Sequence, residues 1–198
     1  MKAWIASFFF ALSLLLPTAF AKTINYSKLD FSPKWQELTP EQQAIAGWIE
    51  KVNNSGISPD KVIEIVKATY AEAEKLNLDP MRLLAITRVE SRFNPNAVSK
   101  HGAKGLMQVM ARVHKDRLKG RSPYNLYTSI EVGSSIYKDY LDQAGGNAIK
   151  ALKMYVGGPG MEYPRMVLKA EKELRRHVIF ALFDTGPGSQ RDTLYALN

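Results

Sequence analysis

In the first half of the chain, Thr39-Pro40, Ser58-Pro59 and Asp79-Pro80 each place a capping residue directly before a proline that an apolar helical pattern follows. Proline holds φ near the helical value and lacks an N–H that the first turn could not use, so each pair reads as a helix start. Apolar residues follow each start at helical spacing. They are Ile45, Trp48, Ile49 and Val52, then Val62, Ile65, Val66 and Tyr70, then Leu83, Leu84, Ile86 and Val89. The same reasoning predicts helices over Leu106–Leu118, Ile130–Leu141, Asn147–Tyr155 and from about Tyr163 to His177. Glycine, proline and asparagine clusters punctuate them at 94–105, 121–125, 145–146 and 157–160. Period-2 alternation is absent except for a weak signal over 178–183. The expected class is mainly α.

The 198 residues contain no cysteine. Disulfides, thiolate zinc sites and a cysteine nucleophile are thereby excluded, and the fold must rest on apolar burial. His101 and His114 have no carboxylate or third histidine at ligand spacing, so neither a metal nor a cofactor is expected. Lys2, the apolar run from Ala3 to Leu16, and Ala19-Phe20-Ala21 read as a secretory signal peptide over residues 1–21. The net charge of +8 then suits an exported, periplasmic or envelope-associated protein attracted to anionic polymers. The basic stretch Lys169, Lys172, Arg175, Arg176 and His177 comes with no nucleic-acid motif, so nucleic acid is not expected as a partner. Membrane contact is expected only through an uncleaved signal segment.

One segment carries chemistry. Residues 90–110 read ESRFNPNAVSKHGAKGLMQVM. Glu90 falls in the helical register of Ile86, Val89 and Phe93 rather than with Arg82, Arg88 and Arg92. A carboxylate beside an apolar face loses solvation, which raises its pKa and makes it a proton donor near neutral pH. Spacing alone favours the plainer reading, a glutamate satisfied by a neighbouring arginine near a helix end.

Glu90-Ser91 and Gly105-Leu106-Met107-Gln108 resemble the first two motifs of the soluble lytic transglycosylases, peptidoglycan-cleaving enzymes with a lysozyme-like domain. ALKMYVGGPG at 151–160 resembles the third motif, and Tyr163-Pro164 with Val167 the last. The motifs occur in family order over roughly residues 62–170. The resemblance implies a lysozyme-like α+β domain, mainly α with little or no strand. It implies cleavage of the β-1,4 bond between N-acetylmuramic acid and N-acetylglucosamine, with a 1,6-anhydro ring as product. Glu90 would be the sole general acid and base, and Ser91, Ser99, Met107, Gln108, Tyr155 and Tyr163 would bind substrate. The implied partner is the glycan strand, with a secretion or conjugation complex as one setting for the activity.

Two other readings stand beside this one: a lysozyme-like hydrolase, and a peptidoglycan-binding scaffold without activity. Departures from the family pattern are Val156 and Ser129, each where asparagine is usual, and Ala111, where proline is. The expected organisation is a signal peptide over 1–21, an extension with a lead-in helix over 22–57, the transglycosylase domain over 58–177, and a C-terminal tail over 178–198. Within that tail, packing is favoured for the apolar run 178–183.

Overall fold

The computed structural model describes residues 35–53 and 56–183. The expected signal peptide, residues 22–34 of the N-terminal extension and the tail beyond 183 lie outside the described residues.

The three proline-marked starts form as helices α1 (Pro40–Val52), α2 (Pro59–Leu76) and α3 (Pro80–Ser91). Each is capped by the residue before its proline. Thr39 accepts from the Gln42 N–H while the Gln42 side chain accepts from the Thr39 N–H, a reciprocal capping box. Ser58 accepts from Lys61 N–H, and Asp79 from Met81 N–H. Strands β1 (Ala103–Lys104) and β2 (Val109–Met110) pair antiparallel, with Ala103 opposite Met110. The single-turn α4 (Lys115–Leu118) leads to α5 (Leu126–Gln143) and α6 (Ala148–Val156), capped by Asn125 and Asn147. The last helix is α7 (Glu162–Phe183). The class is mainly α, with one two-stranded sheet among the described residues. No helix among them is long and apolar enough to cross a membrane.

α3 is the axis of the domain. Met81 and the unbroken run Leu83 to Thr87 are buried, so the helix is covered on nearly every side. α7 packs along it, α1 packs on α7, α2 lies along α5, and α5 meets α6. The principal core joins these helices around Ile49, Val66, Leu84, Ile130, Leu152 and Leu174. A smaller cluster of Val109, Leu118, Val132 and Ile136 seals the strand region against α5.

The sequence expectation fails over residues 106–118, and the weak alternation at 178–183 resolves as helix. Residues 106–118 are not one helix, because only Lys115–Leu118 is helical and Val109–Met110 is a strand. Gly105 and Gln108 take left-handed backbone, at φ +79° and +50°, which breaks any run of helical hydrogen bonds. Leu106, Met107 and Val109 are buried from these turns, so their spacing imitates a helix that does not form. Residues 178–183 are not a strand. α7 continues through His177 without a break, and Val178 and Leu182 sit in the principal core.

Candidate active site

Glu90 lies in the last turn of α3, where the central helix reaches the surface. Two consecutive residues after it, Arg92 and Phe93, adopt left-handed backbone at φ +53° and +64°. Non-glycine residues take this conformation at a cost that surrounding packing must offset. Here Phe93 is fully buried and meets the Trp48 ring edge-on at 6.0 Å. The chain thus turns sharply just past Glu90.

Across from it, in the first turn of α7, the Tyr163 hydroxyl donates to Glu90 Oε1 at 2.5 Å. Burial raises the Glu90 pKa from 4.5 to about 7, and the Tyr163 hydrogen bond pulls it partly back down. Burial, followed by the charge of Glu90, holds the Tyr163 phenol far above its ordinary range, so it stays protonated and donates. The Tyr155 ring stacks on Tyr163, with centroids 6.5 Å apart and planes 11° from parallel. Its own hydroxyl donates to the Met107 carbonyl at 2.9 Å. Tyr137 meets Tyr155 edge-on at 6.3 Å and accepts from Arg82 at 3.2 Å. Three tyrosines from three helices therefore carry positional order to one carboxyl.

α3 and α7 are also pinned a second time, near the start of α3 and midway along α7. Arg82 pairs with Glu171, which is buried and accepts from Arg175 at 2.8 Å as well. Arg175 in turn reaches Asp79. Arg82 precedes Glu90 by eight residues and Tyr163 precedes Glu171 by eight. The two helices therefore run antiparallel, with pins about 12 Å apart along each, at 1.5 Å rise per residue.

A cleft of about 260 Å³ opens beside Tyr163, lined by Val156, Gly158, Gly160, Glu162, Tyr163 and Met166. Tyr163 belongs to both features, since its ring lines the cleft and its hydroxyl holds Glu90. Val156 is 49% exposed and Met166 46%. Val156 at the end of α6 is thus a cleft residue and not a core one.

Glu90, Tyr155 and Tyr163 come together; the other expected site residues are used differently. Ser91 is buried and donates to the Thr87 carbonyl at 3.1 Å. Ser99 accepts from the His101 and Ala103 N–H groups inside its own loop. Gln108 donates through Nε2 to the Ala97 and Gly105 carbonyls, bracing the same loop. The Met107 side chain is fully buried under α5, its sulfur 3.8 Å from the Ser134 hydroxyl. A Cβ on Gly133 would lie 2.5 Å from Met107 Cβ, so this packing requires glycine there. Met107 reaches the site only through its carbonyl. These are the contacts that the four side chains make within the chain.

Spacing did not reveal Tyr137, Arg82 or Ser129 as supports. Ser129 is fully buried and its hydroxyl accepts the Met107 N–H at 3.1 Å, so both backbone groups of Met107 are tied. Gly105 completes the arrangement, since a Cβ there would stand 1.9 Å from the Pro123 carbonyl oxygen. Among the described residues no group of three or more His, Asp or Glu could hold a metal ion.

Residues 67–176 match the family model described as "Transglycosylase SLT domain". A "Soluble lytic murein transglycosylase" of Salmonella typhimurium is 37% identical over 86 residues, which cover 39% of this chain and 13% of that protein. A "Transglycosylase" of Enterobacteria phage PRD1 is 32% identical over 107 residues, covering 50% of this chain and 40% of the relative. The chain thus spans well under half the length of either. Among solved structures, an inactive mutant of lytic transglycosylase Slt from Pseudomonas aeruginosa is similar at 22% identity and a TM-score of 0.46. The match covers 66% of this chain and 25% of that one. The family model spans more than half of the sequence, and its range includes Glu90, Tyr155 and Tyr163: the chain belongs to the SLT transglycosylase domain family.

Proposed function

We propose that this protein is a lytic transglycosylase that cleaves the β-1,4 bond between N-acetylmuramic acid and N-acetylglucosamine. The observation that carries the reading is Glu90, a carboxyl raised to about 7 with a phenol donating to one of its oxygens beside a cleft. Family membership supports it.

One carboxyl serves both halves of the reaction. With Tyr163 on Oε1, the proton of the neutral acid sits on Oε2 and passes to the glycosidic oxygen as the C1–O bond breaks. The leaving sugar departs as its C4 alcohol. The substrate's own N-acetyl oxygen supports the electron-poor C1, the part a second carboxylate takes in ordinary glycosidases. Glu90 is now ionised, and the Tyr163 hydrogen bond is strongest in this form. The carboxylate then removes the proton from the C6 hydroxyl as that oxygen bonds to C1, closing the 1,6-anhydro ring. No water is consumed and Glu90 ends protonated. A pKa near 7 suits a group that must give a proton and then take one.

The domain responsible is taken as residues 58–177, working after export in the periplasm or cell envelope with the segment 1–21 removed. Mass spectrometry of muropeptides released from purified sacculi tests the reading. Anhydro ends, lighter by one water than reducing ends, are expected from the wild type and none from Glu90→Gln. Reducing ends would identify a hydrolase, and sedimentation with sacculi without release would identify a binding protein.

A further inference from the structure

Glycine carries a cost in the unfolded chain, and a fold usually shows what it gains in return. Gly157 caps α6 at φ +75°, Gly105 needs its left-handed backbone, and Gly133 makes room for Met107. Gly158 and Gly160 show no such return. Neither has a φ in the left-handed range, and a Cβ on either would meet no atom of the chain within 4 Å. Nothing in the fold keeps a side chain out of these two positions. Both line the cleft beside Tyr163.

A side chain at either position would stand in open space at the cleft wall. Facing the same volume are Val156 and Met166, both about half exposed, and the Tyr163 ring. One side of the cleft is apolar side chain, and another is bare main chain. The Gly158 N–H is spent on the Lys153 carbonyl, while the Gly160 N–H takes no partner among the described residues. A pyranose ring has matching features, with flat C–H faces and a rim of acceptor oxygens.

We propose that Gly158 and Gly160 are substrate-positioning residues. They keep one wall of the cleft at backbone height, so that a sugar ring of the glycan strand seats directly against residues 158–160 while its other face meets Val156 and Met166. The inference rests on the transglycosylase reading for the identity of the ligand.

The test uses Gly158→Ala, Gly160→Ala and the double variant, with Gly47→Ala as control. Gly47 lies within α1, also without left-handed φ and with nothing within 4 Å of its Cβ. Alanine should leave the melting temperature unchanged or raised in every variant, since it fits the backbone and restricts only the unfolded chain. The double cleft variant should show a KM on purified sacculi raised about tenfold with kcat little changed, and Gly47→Ala a KM within about twofold of wild type. The same substitutions in a Glu90→Gln background should weaken co-sedimentation with sacculi by a similar factor. That arm reads the contact without catalysis, so a wild type that releases no muropeptides sinks the transglycosylase reading while the seating is still measured. Unchanged KM and unchanged co-sedimentation would overturn the proposal. So would a fall in melting temperature matching the loss of activity, because the glycines would then serve the fold.

Discussion

Replacing Glu90 by glutamine separates the electrostatic cost of the site from its chemistry. Glutamine keeps the shape and an acceptor oxygen for Tyr163 but cannot ionise. In the folded chain burial raises the carboxyl from 4.5 to about 7. Between those values the native state holds a proton that the unfolded state has lost. Unfolding then releases protons, so stability falls as pH rises through that window. Below it both states are protonated and the penalty vanishes; above it both are ionised and the penalty is constant. At about 1.4 kcal/mol for each pH unit, the full penalty is about 3 kcal/mol. The variant escapes it. Thermal melts of both proteins from pH 4 to 8 should coincide at the acid end and separate toward pH 8. There the variant should melt higher by roughly 6–12 °C, given about 2–4 °C per kcal/mol in a domain of this size. A gap that does not change with pH, or a wild type more stable at pH 8, would refute a desolvated carboxyl. Muropeptide release by the same variant should disappear at every pH. Retention of more than about a tenth would contradict a general acid contributing 10²–10⁴-fold.

Wild-type release of muropeptides should fall as pH rises past about 7, because the protonated form starts the reaction; a profile flat to pH 9 would exclude Glu90 as that acid. Tyr163→Phe removes the hydrogen bond that lowers the Glu90 pKa, so the alkaline limb should move to higher pH while the rate drops, and a limb moving to lower pH would show the bond acting otherwise. Val156→Asn places an amide at an exposed cleft position, so stability should stay within about 0.5 kcal/mol. Turnover on sacculi should rise a few-fold if the amide reaches the glycan, a hydrogen bond of about 0.5–1.5 kcal/mol. Ser129→Ala strands the buried Met107 N–H and should cost about 1–3 kcal/mol in urea unfolding.

Local signals in this sequence name helix starts well because capping chemistry is itself local. Thr39, Ser58 and Asp79 each satisfy an N–H two or three residues away. The segment 106–118 misleads because its apolar residues face the core from successive turns, and the left-handed backbone at Gln108 has no marker in an ordinary glutamine. The burial of Glu90 was readable from its register with Ile86 and Phe93. The chemical consequence is only one of two readings that spacing leaves open, since a glutamate satisfied by a neighbouring arginine fits the same register. Its partner was not available from spacing, since Tyr163 lies 73 residues further on and enters only through the motif resemblance. The same holds for Arg82 and Glu171, which look like ordinary surface charges until two helices are laid side by side. The resemblance assigns Ser91, Ser99 and Gln108 to the sugar, and in the fold each also satisfies a backbone group nearby. Short polar side chains in turns do this by default.

The double pinning of α3 and α7 limits how this domain can vary in length. Arg82 to Glu90 and Tyr163 to Glu171 span equal numbers of residues, so the two helices act as matched rulers laid in opposite directions. A single insertion or deletion inside either interval turns everything beyond it by about 100° and shifts it by about 1.5 Å. The acid and its tyrosine then part even though neither has been replaced. Two matched changes do not repair this, because each rotates its own helix face away from the other. The intervals 82–90 and 163–171 are therefore closed to length change, whereas the loops between the elements can absorb it. Added residues that leave Glu90 working should lie in the stretches 94–102, 111–114, 119–124 or 144–146.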